Sequence, residues 1–341
     1  MKQTISYIIC SLFSLTLLCC TDSGTTKETS SEDANKQDSI AAHSDAIQAS
    51  DNHMANEAST KSDEIDDYNT IKEIPKVDSI YENPGEPAEN MEPLKNPSIV
   101  IKAKTLEEFI NSITDNVTII VSIDDDAKEL RDEDGEDDGD NDRLINISKI
   151  LNDLPYFEDG KGLGPGIYNY GGGLLLNELT NVTIQGESEN PESTSIVIEE
   201  SYTDVIWTRK CTNIKFQNLK IGHMYGPHCL GDALSIDSCN NIEITNCKLY
   251  GCGYIGLSIS NSQNINVSKT EIYECSSEAL FIHKSKNVLL NECLLRDCPD
   301  GIFTGKENQQ IELRDCYISS NVAKFRGNGP LKVSGFHWYG R

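Results

Sequence analysis

The sequence lacks clusters of lysine and arginine, and this absence excludes nucleic acid as the expected partner. The 341 residues include 29 basic and 55 acidic side chains, which give a net charge of −26 at pH 7. Proteins that bind nucleic-acid phosphates need Lys and Arg grouped on one surface. The acidic excess is concentrated in residues 21–97, with 18 acidic and 6 basic residues, and in residues 124–143, with 12 and 3. Such segments stay solvated because they bury too little apolar surface to offset the entropy of ordering.

A Cys-x-x-Cys pair is also missing, although the chain has 12 cysteines. Zinc sites need such closely spaced ligand pairs, so no zinc centre is expected. The apolar run of residues 5–18 is too short to cross a bilayer comfortably, and it follows Lys2 as in an export signal. The chain is therefore predicted to be exported.

The end of that run resembles the lipobox of bacterial lipoproteins, with Leu17 three positions before Cys20. Cys19 fits less well because Thr16 would take the leucine position. The resemblance implies cleavage before Cys20 and acylation of its new N terminus, and two or more acyl chains hold a protein on a membrane. Because Thr21 rather than Asp follows, the resemblance also implies the outer membrane, on either face. An ordinary secretory signal is the alternative.

These features divide the chain into a signal peptide at residues 1–20, a disordered acidic linker at 21–97 and a folded domain at 98–341. Thr105 and Glu108 form a capping box, which predicts a short helix. The apolar face of this helix comprises Leu106, Phe109, Ile110 and Ile113. We expect the helix to cover the open end of the domain, just before a first strand at residues 117–121.

The last third of the chain repeats every 23 residues, and this period predicts stacked structural units. The copies begin at Thr180, Thr212, Asn240, Gln263, Lys286 and Gln309, the first two at wider spacings of 32 and 28 residues. Each coil has three short apolar alternations, which predict three parallel strands and hence an all-β, single-stranded parallel β-helix. The inward columns are predicted to hold Leu234, Leu257, Leu280 and Phe303, and beside them Ile236, Ile259, Ile282 and Gly305.

The segment Asn241-Ile-Glu-Ile-Thr-Asn-Cys247 carries a rhythm that resembles the right-handed, pectate-lyase-like β-helix proteins. The resemblance covers the regular coils at residues 174–321 and extends to 98–341, with the acidic loop 124–143 as an interruption. It implies right-handed coils and a ligand that lies along an exterior wall. It implies no particular activity, because this scaffold carries lyases, hydrolases, epimerases and binding proteins.

Nine cysteines fall into vertical columns of the predicted coils. Free, buried thiols are the favoured interpretation, because Cys packs as a small hydrophobic residue. Disulfides are the alternative in an exported protein, but side chains in register on parallel strands point the same way rather than towards each other. The asparagine column of the repeat is interpreted as structural, because Asn tolerates left-handed turns.

The first candidate site is an outward column beside the third strand of each coil. It contains Asp237, His283 and Lys306, and Tyr254 lies at another outward position of the same wall. His283 and Lys306 are predicted to lie one coil apart, near enough to share a ligand. Solvated side chains without a function are the alternative.

A second outward column contains Tyr250, Tyr273 and Arg296. The tyrosine pair would suit stacking against sugar rings, although Tyr is also common in ordinary strands. An insertion at residues 222–228 is predicted to form a loop that carries His223, Tyr225 and His228. Loops on a rigid scaffold commonly carry binding residues.

A calcium site is a further hypothesis for the acidic loop. Carboxylates alternate there at Asp134, Glu136, Asp138, Asp140 and Asp142. Calcium needs several such oxygens converging on one point, but Ile145 takes the place of the usual bidentate glutamate. A plain acidic spacer is the alternative, and no cofactor is required.

The pectate-lyase motifs Arg-x-Pro-x-x-Arg and Trp-Ile-Asp-His are missing, as is the adjacent carboxylate pair of a hydrolase. Asp232 and Glu278, which share a column two coils apart, are the nearest approach. We therefore predict a lipid-anchored envelope protein that binds carbohydrate or envelope polymer without catalysis. A polysaccharide lyase or glycoside hydrolase using His223, His228, His283 and Lys306 is one alternative. A structural spacer is the other, and the sequence predicts no oligomeric state.

Overall fold

The computed structural model describes residues 85–91, 94, 97–123, 144–158, 164–225, 229–251, 254–319, 325–335 and 337–339. The predicted signal peptide with Cys20, most of the linker and His228 lie outside these residues, as do the calcium candidates Asp134, Glu136, Asp138, Asp140 and Asp142. None of the helices within the described ranges is long and apolar enough to cross a bilayer.

The described residues form a nearly all-β structure of three sheets, which are the three walls of a parallel β-helix. Every pairing in the named strands is parallel except that of β4 with β5, which form an antiparallel hairpin. Sheet A contains, in spatial order, β1 (Ile99–Ala103), β2 (Val117–Val121), β6 (Thr180–Gly186), β9 (Thr212–Gln217), β12 (Asn240–Thr245), β15 (Gln263–Ser268), β18 (Lys286–Asn291), β21 (Gln309–Arg314) and β24 (Lys332–Ser334).

The other two sheets each have eight strands within the described ranges. Sheet B contains β3 (Leu144–Asn146), β7 (Ser195–Ile198), β10 (Lys220–His223), β13 (Lys248–Tyr250), β16 (Glu271–Tyr273), β19 (Leu294–Arg296), β22 (Tyr317–Ser319) and β25 (His337–Tyr339). Sheet C contains β4 (Gly166–Tyr170), β5 (Gly173–Asn177), β8 (Ile206–Arg209), β11 (Leu234–Asp237), β14 (Leu257–Ser260), β17 (Glu278–His283), β20 (Gly301–Thr304) and β23 (Phe325–Arg326). The helices are α1 (Leu106–Ser112), α2 (Ser148–Leu151) and a 3₁₀ turn, Pro191–Ser193.

The lumen between the sheets is filled by columns of like apolar side chains. Leu234, Leu257 and Leu280 are register partners on successive strands and are fully buried. Side chains alternate between the two faces of a strand, so the apolar alternation of the repeat turns one face of every strand inward. The predicted Leu and Ile columns are therefore confirmed over these coils.

The same columns were predicted wrongly in the next coil. The pairing shifts by one residue between Glu278 and Leu280, so Ile302 rather than Phe303 continues the leucine column. Thr304 rather than Gly305 then continues the isoleucine column. A β-bulge adds one residue to a strand, and counting a constant period cannot detect it. Phe303 consequently faces outward, where its ring stacks on Phe281 at 4.8 Å.

The N-terminal end of the domain is covered by α1, as predicted. The Thr105 hydroxyl accepts a hydrogen bond from the Glu108 N–H at 3.1 Å, and Glu108 Oε2 accepts one from the Lys104 N–H at 2.8 Å. Phe109 and Ile110 are buried in the core. The predicted order of elements was wrong, however, because β1 precedes α1 and pairs with β2. An edge strand with one exposed side has a weaker apolar alternation, which is why it was missed.

The asparagine column forms the turns that lead into sheet A. Asn213, Asn241, Asn264 and Asn287 all have positive φ, between 55° and 62°. Neighbouring side chains are joined along the column, for example Asn287 Nδ2 to Asn264 Oδ1 at 2.9 Å. The structural interpretation of this column is confirmed.

The described cysteines are buried free thiols, in agreement with the favoured interpretation. Several donate hydrogen bonds to backbone carbonyls, as Cys211 Sγ does to the Leu176 carbonyl at 3.3 Å, and Cys239 Sγ accepts the Cys211 N–H at 3.3 Å. Ser262 and Ser285 continue this column, each accepting the N–H of the coil before it. The thiols therefore belong to a ladder in which Ser performs the same task. Cys252 lies outside the described residues.

Residues 85–91, here called the strap, lie against the C-terminal strands of sheet A. The Ala88 N–H donates to Glu312 Oε2 at 3.0 Å, and the Glu89 N–H donates to Asn287 Oδ1 at 2.7 Å. Gln310 replaces asparagine in the column, and its Nε2 donates to Glu89 Oε1 at 2.9 Å. These contacts hold the strap against the coils. The sequence analysis had instead assigned residues 85–91 to a disordered linker that ended at residue 97.

Candidate functional site

A groove of about 310 Å³ opens on the side of sheet B, where several strands of that sheet end. It is formed by the last residues of β10 and β13 and by the turns that follow β13, β16 and β19. Its lining residues are His223, Met224, Tyr250, Gly251, Glu274, Cys275 and Asp297. The groove thus brings together two predicted site residues, His223 and Tyr250, from different parts of the repeat.

The tyrosine column beside this groove is confirmed in register but is closely packed. Tyr250 pairs with Tyr273, and their rings stack at 5.7 Å with an angle of 21°. The Arg296 guanidinium lies 4.0 Å from the Tyr273 ring centroid, so Tyr273 is only 7% exposed. Burial raises the pKa of Tyr273. Tyr273 therefore supports the wall, and Tyr250 is the tyrosine of the pair that lines the groove.

Gly222 allows Tyr250 to pack closely against β10. A Cβ atom at Gly222 would lie 2.6 Å from Tyr250 Cε1 and 2.4 Å from the Tyr250 carbonyl oxygen, too close for any side chain. The Lys220 ammonium lies 4.6 Å from the Tyr250 ring centroid, as a cation over an aromatic face. The ring is thus fixed before any ligand arrives.

The cations of this wall are all neutralised by carboxylates. Glu192 contacts both Lys220, at 2.8 Å, and Lys248, while Glu271 contacts Lys248 at 3.2 Å and Arg296 at 2.7 Å. The pKa of Glu192 is lowered although burial alone would raise it, because both lysines favour its charged form. A polyanionic ligand would have to compete with these carboxylates, so the wall does not favour one.

His223 is a buried residue at the end of β10 rather than a loop residue, which corrects the prediction. It is 1% exposed, and Nε2 lies 2.9 Å from the Thr203 carbonyl oxygen. Burial lowers its pKa, against the opposite influence of that carbonyl and of Asp204. A neutral imidazole has one N–H, and a carbonyl can only accept, so Nε2 carries the proton. Tyr225, two residues further on, is 62% exposed.

Three of the four residues predicted for catalysis, His223, His283 and Lys306, lie in the described part of the chain, and the structure does not bring these three together. His223 ends a strand of sheet B, whereas His283 ends a strand of sheet C. The bulge in β17 also puts Gly305, not Lys306, beside His283; a Cβ at Gly305 would lie 2.8 Å from His283 Nδ1. The predicted pairing of His283 with Lys306 is therefore wrong, because the bulge moves the column by one residue.

The remaining predicted residues hold turns. Asp237 accepts hydrogen bonds from Asn261 Nδ2 at 2.9 Å and from the Ser238 hydroxyl at 3.2 Å. Tyr254 lies in the turn before β14, and its carbonyl accepts the Ser277 N–H at 3.1 Å. Both residues have structural contacts, and whether they also bind a ligand stays a prediction.

Asp232 and Glu278 are buried in separate hydrogen-bonded settings. Asp232 accepts from the Ser235 hydroxyl at 3.0 Å and from the Ile255 N–H at 3.2 Å. Burial, with a contribution from Asp204, raises its pKa well above 3.8. Glu278 is held by Ser277 at 2.6 Å and by Arg326. Each carboxyl therefore has its own partners, an arrangement that does not resemble an acid and base placed across one bond.

An aromatic cluster on the outer side of sheet C was missed by the sequence analysis. Trp207 packs against Tyr170 with ring centroids 4.6 Å apart and against Phe157 at 5.9 Å. Strand alternation could have shown that Trp207 points outward. Its neighbours come from the hairpin of β4 and β5 and the segment before it, which carry no repeat.

In the described part of the chain, no group of three or more His, Cys, Asp or Glu side chains could hold a metal ion. The calcium hypothesis concerns residues outside that part and stays a prediction.

The chain belongs to the family described as "Right handed beta helix region", whose model matches residues 165–335. The coils are thus right-handed, as the resemblance implied. No curated protein matches the sequence.

Solved structures with a similar fold include a pectin methylesterase in complex with a hexasaccharide, at 12% identity over 63% of this chain and 71% of that chain, with a TM-score of 0.36. YbhC of Escherichia coli is 10% identical over 74% and 87%, with a TM-score of 0.36. A putative glycosyl hydrolase from Parabacteroides merdae is 14% identical over 57% and 91%, with a TM-score of 0.28. Likeness at this level concerns the fold, not the chemistry.

Proposed function

We propose that the protein is a lipid-anchored β-helix of the cell envelope that binds a carbohydrate polymer without catalysis. The groove above Tyr250 is the observation that carries the binding proposal. It combines an aromatic ring held in place by Gly222 and Lys220 with polar groups at its wall and rim. Sugar sites combine such apolar ring surfaces with a few placed polar groups.

The contacts of the groove favour binding over turnover. His223 is buried and neutral, and its only N–H is committed to the Thr203 carbonyl. A general acid must give a proton to the reacting group, and His223 has no second N–H to give. Asp297 is held by Arg296 at 2.8 Å. A lyase or hydrolase that combined His223 with His283 would need residues from two different walls.

A glycan array with the mature full-length chain tests the binding proposal. We expect retention of one class of polymer, loss of retention in Tyr250→Ala, and no change in Tyr202→Ala. Tyr202 is the matched control because its side chain is highly exposed and does not line the groove. Release of shorter or unsaturated products from a bound glycan would contradict the non-catalytic part, and equal loss in both variants would contradict the site.

The lipid anchor rests on the lipobox resemblance alone and needs its own test. We expect mass spectrometry of the membrane fraction to find acyl chains on Cys20. Cys20→Ser should move the protein to the soluble fraction, whereas Cys19→Ser should leave it anchored and in the outer membrane. A Cys20→Ser protein that stays with the membrane would contradict the proposal.

A further inference from the structure

The side-chain groups that give the groove its polar character are mainly acceptors. Two carboxylates, Glu274 and Asp297, lie at its rim, and His223 lies in its wall. Carboxylates accept hydrogen bonds and donate none. A ligand that presents hydrogen-bond donors would therefore bind most favourably in this groove.

His223 supplies an acceptor that no described residue of the protein uses. Because Nε2 carries the proton for the Thr203 carbonyl, Nδ1 presents a bare lone pair. Nδ1 is buried and has no hydrogen-bond partner among the residues that the structure describes. A buried polar atom without a partner is rare in folded proteins, and one in the wall of a groove indicates a group that arrives with the ligand.

The carboxylates around the groove differ in how closely the described cations hold them. The Arg296 guanidinium lies 2.8 Å from Asp297 Oδ2 and 3.8 Å from Glu274 Oε1, while its Nε donates to Glu271. The three cations of the wall are Lys220, Lys248 and Arg296, and the four carboxylates are Glu192, Glu271, Glu274 and Asp297. Glu274 has the longest of these contacts, 3.8 Å to Arg296, and at 59% exposure its side chain is the most open of the four carboxylates.

We infer that the groove selects a glycan with a free protonated amine, that is, an amino sugar that is not N-acylated. An ammonium group has three donors, no acceptor and a positive charge, which matches Glu274, Asp297 and the His223 acceptor. An N-acetyl group would instead bring a carbonyl oxygen towards carboxylates. This inference rests on the proposed function and names its ligand class.

Calorimetric titration of the mature full-length chain with β-1,4-linked glucosamine oligomers, and with their N-acetylated counterparts of equal length, tests the inference. At a pH where the amine is protonated, we expect the free amine to bind about tenfold tighter or more. Glu274→Gln should remove most of that preference. His223→Phe should weaken binding of the amine, with circular dichroism confirming an intact fold.

The matched control is Glu243→Gln, which changes the net charge equally. Glu243 pairs with Lys215 on the outer face of sheet A, away from the groove. If both Gln variants lose the preference equally, general attraction to an acidic protein explains it and the inference is overturned. If a neutral glycan binds, is lost in Tyr250→Ala and is preferred to the amine, the inference fails while the proposed function stands. If no glycan binds, both fail.

Discussion

The N-terminal end of sheet A and its C-terminal strands pack against neighbouring parts of the chain in different ways. At the N-terminal end, α1 buries Phe109 and Ile110 in the core next to β1 and β2. At the C-terminal end, the strap contacts β18 and β21 through polar groups, chiefly Glu312 and Asn287. The first cover gains from apolar burial and the second from hydrogen bonds to buried or half-buried acceptors. The two ends should therefore respond differently to truncation and to pH.

The largest effect is expected from Phe109→Ala. Removing a fully buried phenylalanine costs about 3–5 kcal/mol of unfolding free energy, because the transfer energy is lost and a cavity is left. Denaturant unfolding measures the loss. Leu106→Ala is the control, since Leu106 is only partly buried against the same core, and its loss should be clearly smaller. Equal losses would mean that α1 does not cover the end through Phe109.

The next effect is expected from removing the strap. A chain that begins at residue 98 should be less stable by about 2–4 kcal/mol than one that begins at residue 85, because it loses three hydrogen bonds, two of them to carboxylates. Hydrogen exchange should show the loss in β18 and β21 and leave β9 unchanged. Unchanged protection of β21 would contradict a stabilising strap.

These two covers also show what the sequence could and could not predict. The face of α1 was predicted because burial requires an apolar side-chain pattern, and Phe109 and Ile110 carry it. The strap binds through the backbone N–H groups of Ala88 and Glu89. Every residue other than proline has such a group, so no pattern of side chains predicts these contacts. Its sequence signal is limited to Gln310, which replaces asparagine at the end of the column.

The candidate site shows the same division between local pattern and distant contact. Tyr250, Tyr273 and Arg296 were predicted correctly as a column because the period is constant through that wall. The predicted pair of His283 with Lys306 is wrong, because a bulge in β17 shifts its pairing with β20. His223 was chosen from its residue type, but its burial and tautomer depend on the Thr203 carbonyl 20 residues earlier. Such contacts follow from the packing of coils and not from the period.

The pH response of the C-terminal end is expected from Glu312. Its pKa is lowered below 4.5 although burial alone would raise it, because Arg314, Ser334 and the Ala88 N–H favour the charged form. A lowered folded-state pKa gives stability that is present above about pH 4.5 and is lost as pH falls through the folded pKa. Glu312→Gln should therefore cost about 1–3 kcal/mol at neutral pH and progressively less in acid.

Unfolding curves of both proteins across this range measure the change, with Glu243→Gln as control. That residue is a partly exposed glutamate on the same face of sheet A, paired with Lys215, and its replacement should change stability little. A pH-independent loss in Glu312→Gln would show that the carboxylate charge does not hold the strap.

The smallest effect, opposite in sign, is expected from Asp232 in the middle of the β-helix. Its pKa is raised by burial and by Asp204, so the folded state keeps the proton to a higher pH than the unfolded chain does. A raised folded-state pKa gives stability that is full below the unfolded pKa and is lost as pH rises through the folded value. Asp232→Asn keeps an acceptor for the Ile255 N–H and carries no charge. It should be near neutral at acidic pH and stabilising on the order of 1 kcal/mol at neutral pH.

Parallel unfolding series at acidic and neutral pH for Asp232→Asn and Glu312→Gln make the comparison direct. Glu312, which binds the strap, is surrounded by donors, so removing its charge should lower the stability of the protein. Asp232 has an acidic neighbour, Asp204, so removing its charge should raise the stability of the protein. If Asp232→Asn instead destabilised the protein at neutral pH, the Ser235 and Ile255 contacts would have to hold a charged carboxylate. Both regions would then stabilise buried carboxylates by the same means.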